Sequence, residues 1–159
     1  MSVKPKYRTL TTEELHELEK EFVDFLVVNG ITADQWVKIK EGDKPAAEDM
    51  IVLFSDVVME GVLRNIQYLE IRARDDIKTF QCLAEKIVLV GLRTNNPDVN
   101  FLDDVFLQTA LQSPPKGIEV YTTYKAYKED RQQELFRMIQ SGCQVSDGKL
   151  FKALSMTLA

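Results

Sequence analysis

The stretch "KTFQCLAEKIVLVGLR", residues 78–93, constrains the fold of this chain more than any other. β-branched and aromatic residues flank a very short connection, Ala84-Glu85, and the pair of runs reads as an antiparallel hairpin. Neither turn residue favours the left-handed dihedrals of a tight hairpin loop, so the loop is expected to borrow its neighbours. Immediately upstream, "IQYLEIRA" (residues 66–73) fits two patterns. It prolongs a helix through Val62, Ile66, Leu69 and Ala73, or it forms another strand; the strand is the reading adopted here.

Helical periodicity precedes this β-rich centre. Thr11 and Glu14 form a capping box that opens a helix, Leu15, Leu18, Phe22, Phe25 and Leu26 recur at helical spacing, and Gly30 ends it. A second box, Thr32 with Gln35, opens a short helix carrying Trp36 and Ile39, which "EGDKP" breaks. Pro45 suits the first turn of a third helix. Its apolar residues occupy more than one face, predicting burial around much of its circumference. Gly61 weakens that helix near its end.

Beyond the hairpin, "TNNPD" is a loop. Asn100 or Asp98 is the expected cap of a helix through "FLDDVFLQTAL", which "QSPPKG" ends. "IEVYTTYKAY" reads as a strand with Ile118, Val120 and Thr122 on one face. "KEDRQQELFRMIQ" reads as a helix with Leu135, Met138 and Ile139 as its apolar seam and Phe136 beside it. Gly142 terminates it, and Ser146 is the expected cap of the last helix. The pattern is α+β: N-terminal helices, a small mostly antiparallel sheet and a closing C-terminal αα-hairpin. At 159 residues the chain is expected to form a single compact domain over 1–159, with residues 1–10 flexible.

The final helix raises a functional question, because helix, brief turn and helix also describe a DNA-reading motif. Here the outward residues are Lys149, Lys152, Ser155 and Thr157, a thin set for reading bases. Leu150, Phe151, Leu154 and Leu158 form an apolar stripe predicted to face the core. The connection around 141–145 is also longer than the usual turn. Core closure is the reading adopted.

Four phrases together resemble an uncharacterised family of short cytoplasmic proteins from Bacteroidetes, a domain of unknown function. They are "KYRTLTTEEL", "FSDVVMEGVL" with "YLE", "FQC" before "KIVLVGL", and "SDGKLFKAL". The resemblance spans nearly the whole chain and implies one full-length domain in a bacterial cytoplasm. It carries no activity, ligand or site residue with it.

Chemistry-bearing patterns are sparse. His16 is the only histidine, and with Cys82 and Cys143 it offers three soft ligands on distant segments, without chelating spacing. No metal and no cofactor is expected. The thiols are read as buried and reduced, in keeping with a cytoplasmic protein. Neither a nucleophile elbow nor a phosphate-binding glycine loop occurs. The acid pairs Asp75-Asp76 and Asp103-Asp104 are read as helix-start complements. No apolar run approaches the roughly 18 residues of a membrane span. The start of the chain lacks the apolar stretch of a secretory signal.

The most suggestive surface is "VYTTYKAYKEDR", where Tyr121, Tyr124 and Tyr127 alternate with Lys125, Lys128 and Arg131. Tyr121 and Tyr127 would share one strand face, and Tyr124 the other; if the segment turns helical earlier, Tyr124 and Tyr127 instead align at i, i+3. Aromatic rings beside cations can stack bases or anchor a protein. They also fill sheet rims, with lysines guarding an edge. The net charge of -5 opposes nucleic-acid binding overall. Residues 116–159 alone carry more basic than acidic side chains, by two. Three functions follow: a non-enzymatic domain that binds a protein partner, which leads; a nucleic-acid binder using the C-terminal third, which is disfavoured; and an enzyme with an unfamiliar carboxylate site.

Overall fold

The computed structural model describes residues 3–114 and 116–158; Pro115 of the "QSPPKG" terminator and the first two residues of the stretch expected to be flexible lie outside them. Contacts group the chain into two compact units, residues 1–64 and 65–159.

The first unit is helical. Its expected first helix is two, α1 (Thr12–Glu17) and α2 (Glu19–Val28). The chain leaves helical dihedrals at Leu18 (φ −103°, ψ 24°), whose carbonyl still accepts the Phe22 amide at 2.9 Å. The capping box forms as predicted, and Gly30 turns the chain at φ +79°. The Thr32–Gln35 box opens α3 (Ala33–Gly42), and α4 (Lys44–Arg64) runs straight through Gly61. Phe22 packs edge-on against Trp36 at 5.1 Å and against Phe54 at 5.0 Å, and Phe25 meets Phe54 at 5.4 Å. Those rings join α2, α3 and α4. Burial of α4 is narrower than expected, since Leu53, Val57 and Val62 are exposed.

Residues 3–10 run along α4, whose side chains accept their amides. Val3 donates to Asp49, Lys6 and Tyr7 donate to Asp56, and Leu10 donates to the buried Ser55 hydroxyl at 2.9 Å. The Tyr7 hydroxyl donates to Glu60. A strap without secondary structure of its own is thus held through its backbone.

The second unit is an antiparallel sheet with helices. Its strands are β1 (Tyr68–Arg72), β2 (Asp76–Cys82), β3 (Lys86–Thr94), β4 (Ile118–Ala126) and β5 (Gln144–Ser146), in the order β4-β3-β2-β1-β5. The expected strand at 66–73 is β1. The hairpin is closed by the Leu83 amide on the Lys86 carbonyl at 3.0 Å, leaving Ala84-Glu85 as its turn without positive φ.

Register assigns the faces. Ile77, Leu92 and Val120 share one face with Val90 and Ile118, and Leu69, Cys82 and Ile87 share the other. The first face carries the core, where these side chains pack with Leu107 of α5 (Asp104–Gln112), Phe151 and Leu154 of α7 (Lys149–Leu158), and the loop residues Val99 and Phe101. Phe151 and Leu154 are buried and Leu150 is half-buried, so the stripe closes the core as predicted. Leu158, expected in that stripe, is exposed.

Two caps differ from expectation. Asp103, rather than Asn100 or Asp98, caps α5 by accepting the Val105 and Phe106 amides at 3.0 and 3.2 Å. The helix starts late because Phe101 is fully buried and its amide donates to the Arg74 carbonyl. Ser146 lies in β5 rather than capping α7, and its hydroxyl accepts the Gly148 amide. Gly148 makes the turn at φ +83°, where a Cβ would run into the Tyr68 ring. The closing helices α6 (Arg131–Gln140) and α7 are both present, with β5 inserted in their connection and paired to β1.

Candidate interaction edge

β4 ends the sheet, and the backbone bonds of its neighbours decide which of its groups point outward. The Leu83 amide bonds the Lys86 carbonyl, and at the other end the Thr94 amide bonds the Asp75 carbonyl at 3.1 Å. Even-numbered residues of β3 therefore bond toward β2, and Ile87, Leu89, Gly91 and Arg93 bond toward β4. Their register partners are Lys125, Thr123, Tyr121 and Glu119. The amides and carbonyls of Ile118, Val120, Thr122, Tyr124 and Ala126 consequently face away from the sheet. From Thr122 to Ala126 every residue is exposed.

Tyr121 is rooted on the face of the sheet opposite the core, the face of Cys82 and Ile87. Its hydroxyl donates to Asp76 at 2.7 Å, and the Asp76 carboxylate also pairs with Lys78. Its ring lies over Gly91 in the space a Cβ would occupy, so only glycine permits this approach. Arg93 stacks on that ring at 4.7 Å while its guanidinium forks onto Glu119 at 3.0 and 3.2 Å. Burial and the Asp76 bond both push the Tyr121 phenol above its ordinary range.

Tyr127, Lys125, Lys128 and Arg131 meet at the far end, where β4 runs into α6. Arg131 donates to three backbone carbonyls, Ile66 at 2.6 Å and Cys82 and Leu83 at 3.0 Å. The Tyr127 hydroxyl also donates to Leu83, at 2.8 Å, and burial pushes its phenol up to about 12. Lys125 pairs with the buried Glu134 at 3.4 Å, and the same carboxylate oxygen accepts the Lys128 amide. The other Glu134 oxygen has no hydrogen-bond partner among the described residues. Tyr124 stands apart on the opposite face, 71 % exposed, with the Lys86 ammonium 5.0 Å from its ring centroid.

The six residues read as candidates thus do not form one patch. Arg131 and Tyr127 tie the start of α6 to the hairpin, Tyr121 belongs to a polar network with Asp76, and Tyr124 presents an open ring. Sequence reading missed Gly91 and Glu134, and took Asp76, which opens β2, for a helix-start complement. A glycine inside a strand was the available signal for the first, because it marks close approach of another group.

Elsewhere, a cleft of about 580 Å³ lies where β1, β5, α5 and α7 meet, lined by Glu70, Arg72, Asp104, Gln108 and Lys149 among others. Arg72 pairs with both Glu70 and Asp104 at 3.1 Å, so the facing acids are held by one cation. Cys82 and Cys143 are free and buried; burial pushes the Cys82 thiol up to about 12 and raises that of Cys143, which keeps both protonated and poor nucleophiles. Among the described residues, no three His, Cys, Asp or Glu side chains group as a metal site, and no helix is long and apolar enough to cross a membrane.

A family model matches the whole chain, residues 1–159, and its description is a family of unknown function, DUF6495. The chain belongs to that family. Comparison of this DUF6495 member with curated proteins and with solved structures returns no match.

Proposed function

We propose that this chain is a non-enzymatic protein-binding domain of the bacterial cytoplasm, and that the edge of β4 is its docking surface. The observation that carries the reading is the outward row of backbone groups from Ile118 to Ala126 at the end of the sheet. An extended segment added there gains main-chain hydrogen bonds, and the alternating side chains supply selectivity. Nucleic-acid binding is less well supported, because four cations of this region face carboxylates or carbonyls. Lys125 faces Glu134, Arg93 faces Glu119, Arg137 faces Glu129, and Arg131 faces the hairpin.

Thr122→Pro tests the edge. Its amide points outward, a position where an edge strand tolerates proline, so the variant is expected to keep its circular dichroism spectrum while losing the docking row. Wild type and variant serve as parallel baits in extract of the source cells at low and high salt. Proteins that wild type retains at high salt and the variant loses support the reading; identical protein sets for the two baits overturn it. RNA or single-stranded DNA retained at low salt, and lost on Lys125→Glu with Lys128→Glu, would favour nucleic-acid binding instead.

A further inference from the structure

We infer that the occupant of the β4 edge is a second copy of the same chain, paired antiparallel about a two-fold axis at Thr122. This inference rests on reading that edge as the binding surface. Three properties of the strand support it. Full overlap of β4 (Ile118–Ala126) with itself in antiparallel orientation centres the axis on Thr122. That register sets Ile118 opposite the partner's Ala126, Val120 opposite the partner's Tyr124, and Thr122 opposite the partner's Thr122. These are the residues whose amides and carbonyls point outward, so both edges meet donor to acceptor. A shift of one residue would set outward groups against inward ones.

Side chains agree with the same register. Glu119 falls opposite the partner's Lys125, and symmetry repeats that pair. Both residues lie on one face of the sheet, with side chains 63 % and 54 % exposed. Val120 meets the partner's Tyr124, whose ring is 71 % exposed in the single chain. Opposite charges, an aromatic ring on a β-branched residue, and a Thr–Thr pair are all favourable cross-strand neighbours. The arrangement also closes. Both β4 edges are used in one isologous contact, and the edge left at the far side of each sheet is the three-residue β5.

Light scattering during size-exclusion chromatography, across a range of concentrations, reads the prediction directly. Wild type is expected at twice its 18.2 kDa chain mass, and Thr122→Pro at that mass. Glu119→Lys sets like charges opposite each other twice and is expected to weaken the dimer at least about fivefold. Single cysteines test the register without relying on the proline variant. Residues paired through their own bonds have Cα atoms about 5.5 Å apart, within disulfide reach. Thr122→Cys is therefore expected to give a disulfide-linked dimer on mild oxidation. Thr123→Cys, set diagonally beyond the roughly 7 Å limit, is not. A wild-type monomer at every concentration overturns self-pairing, as does a dimer that Thr122→Pro leaves intact or one that crosslinks through Thr123→Cys. If self-pairing fails while another protein is still lost with Thr122→Pro, the binding edge stands and only its occupant is wrong; if Thr122→Pro loses nothing, the edge reading fails as well.

Discussion

Arg131 illustrates how a residue's environment redirects its chemistry. Met on the sequence among tyrosines and lysines, it reads as a surface cation; in the fold it is a clamp on three carbonyls at the ends of β1 and β2. The planar guanidinium fork can serve several acceptors at once, whereas an ammonium is a point charge. Arg131→Lys is therefore expected to destabilise the protein by about 2 kcal/mol, measurable by urea unfolding. At Glu14, the bidentate bond from Arg8 first, and the Thr11 amide second, hold the carboxyl down to about 2 from its ordinary 4.5. Because the folded value lies below the unfolded one, the stabilisation is present above about pH 4.5 and is lost as pH falls toward 2. A carbon-detected NMR titration of Glu14 should show that depressed midpoint, and Arg8→Ala should move it back toward 4.5.

At the scale of elements, capping and periodicity predict where helices begin more reliably than which of their side chains end up inside. Both capping boxes form, because each is a local exchange between a side chain and backbone three residues away. α7 shows the complementary case. Its stripe was legible from spacing, yet Leu154 is fully buried and Leu158, one turn on, is 45 % exposed. Leu154→Ala is expected to cost about 2–5 kcal/mol through the cavity it leaves. Leu158→Ala should change stability by less than about 1 kcal/mol. Thermal or denaturant unfolding of the two variants side by side checks the contrast, and equal losses would mean that α7 packs differently. The late start of α5 has the same origin, since burial of Phe101 outweighs the caps available at Asp98 and Asn100.

For the whole molecule, the sheet edge is the feature on which the proposed binding rests. A nine-residue edge strand whose outer side is unpaired is a liability unless something covers it. Here Glu119 and Lys125 favour one register of self-pairing over open-ended association. A dimer that binds only the folded chain makes thermal stability depend on concentration. The wild-type melting midpoint is accordingly expected to rise with protein concentration, and that of Thr122→Pro to stay flat, by scanning calorimetry.

What the sequence determined alone was local. The α+β class, the β2–β3 hairpin, the helix-opening boxes and the inward stripe of α7 all follow from dihedral preference and from periods of two or 3.6 residues, which act between near neighbours. Membership of a family of unknown function was legible too, and the match over residues 1–159 bears out that part of the resemblance. Only the tertiary structure decided the strand order, which inserts β5 beside β1 and leaves β4 at the rim. It also decided that Tyr127 and Arg131 bond the hairpin while Tyr124 remains open. These outcomes depend on which hydrogen-bonding groups meet across separations of 44 to 78 residues, and a residue's identity does not record its distant partner.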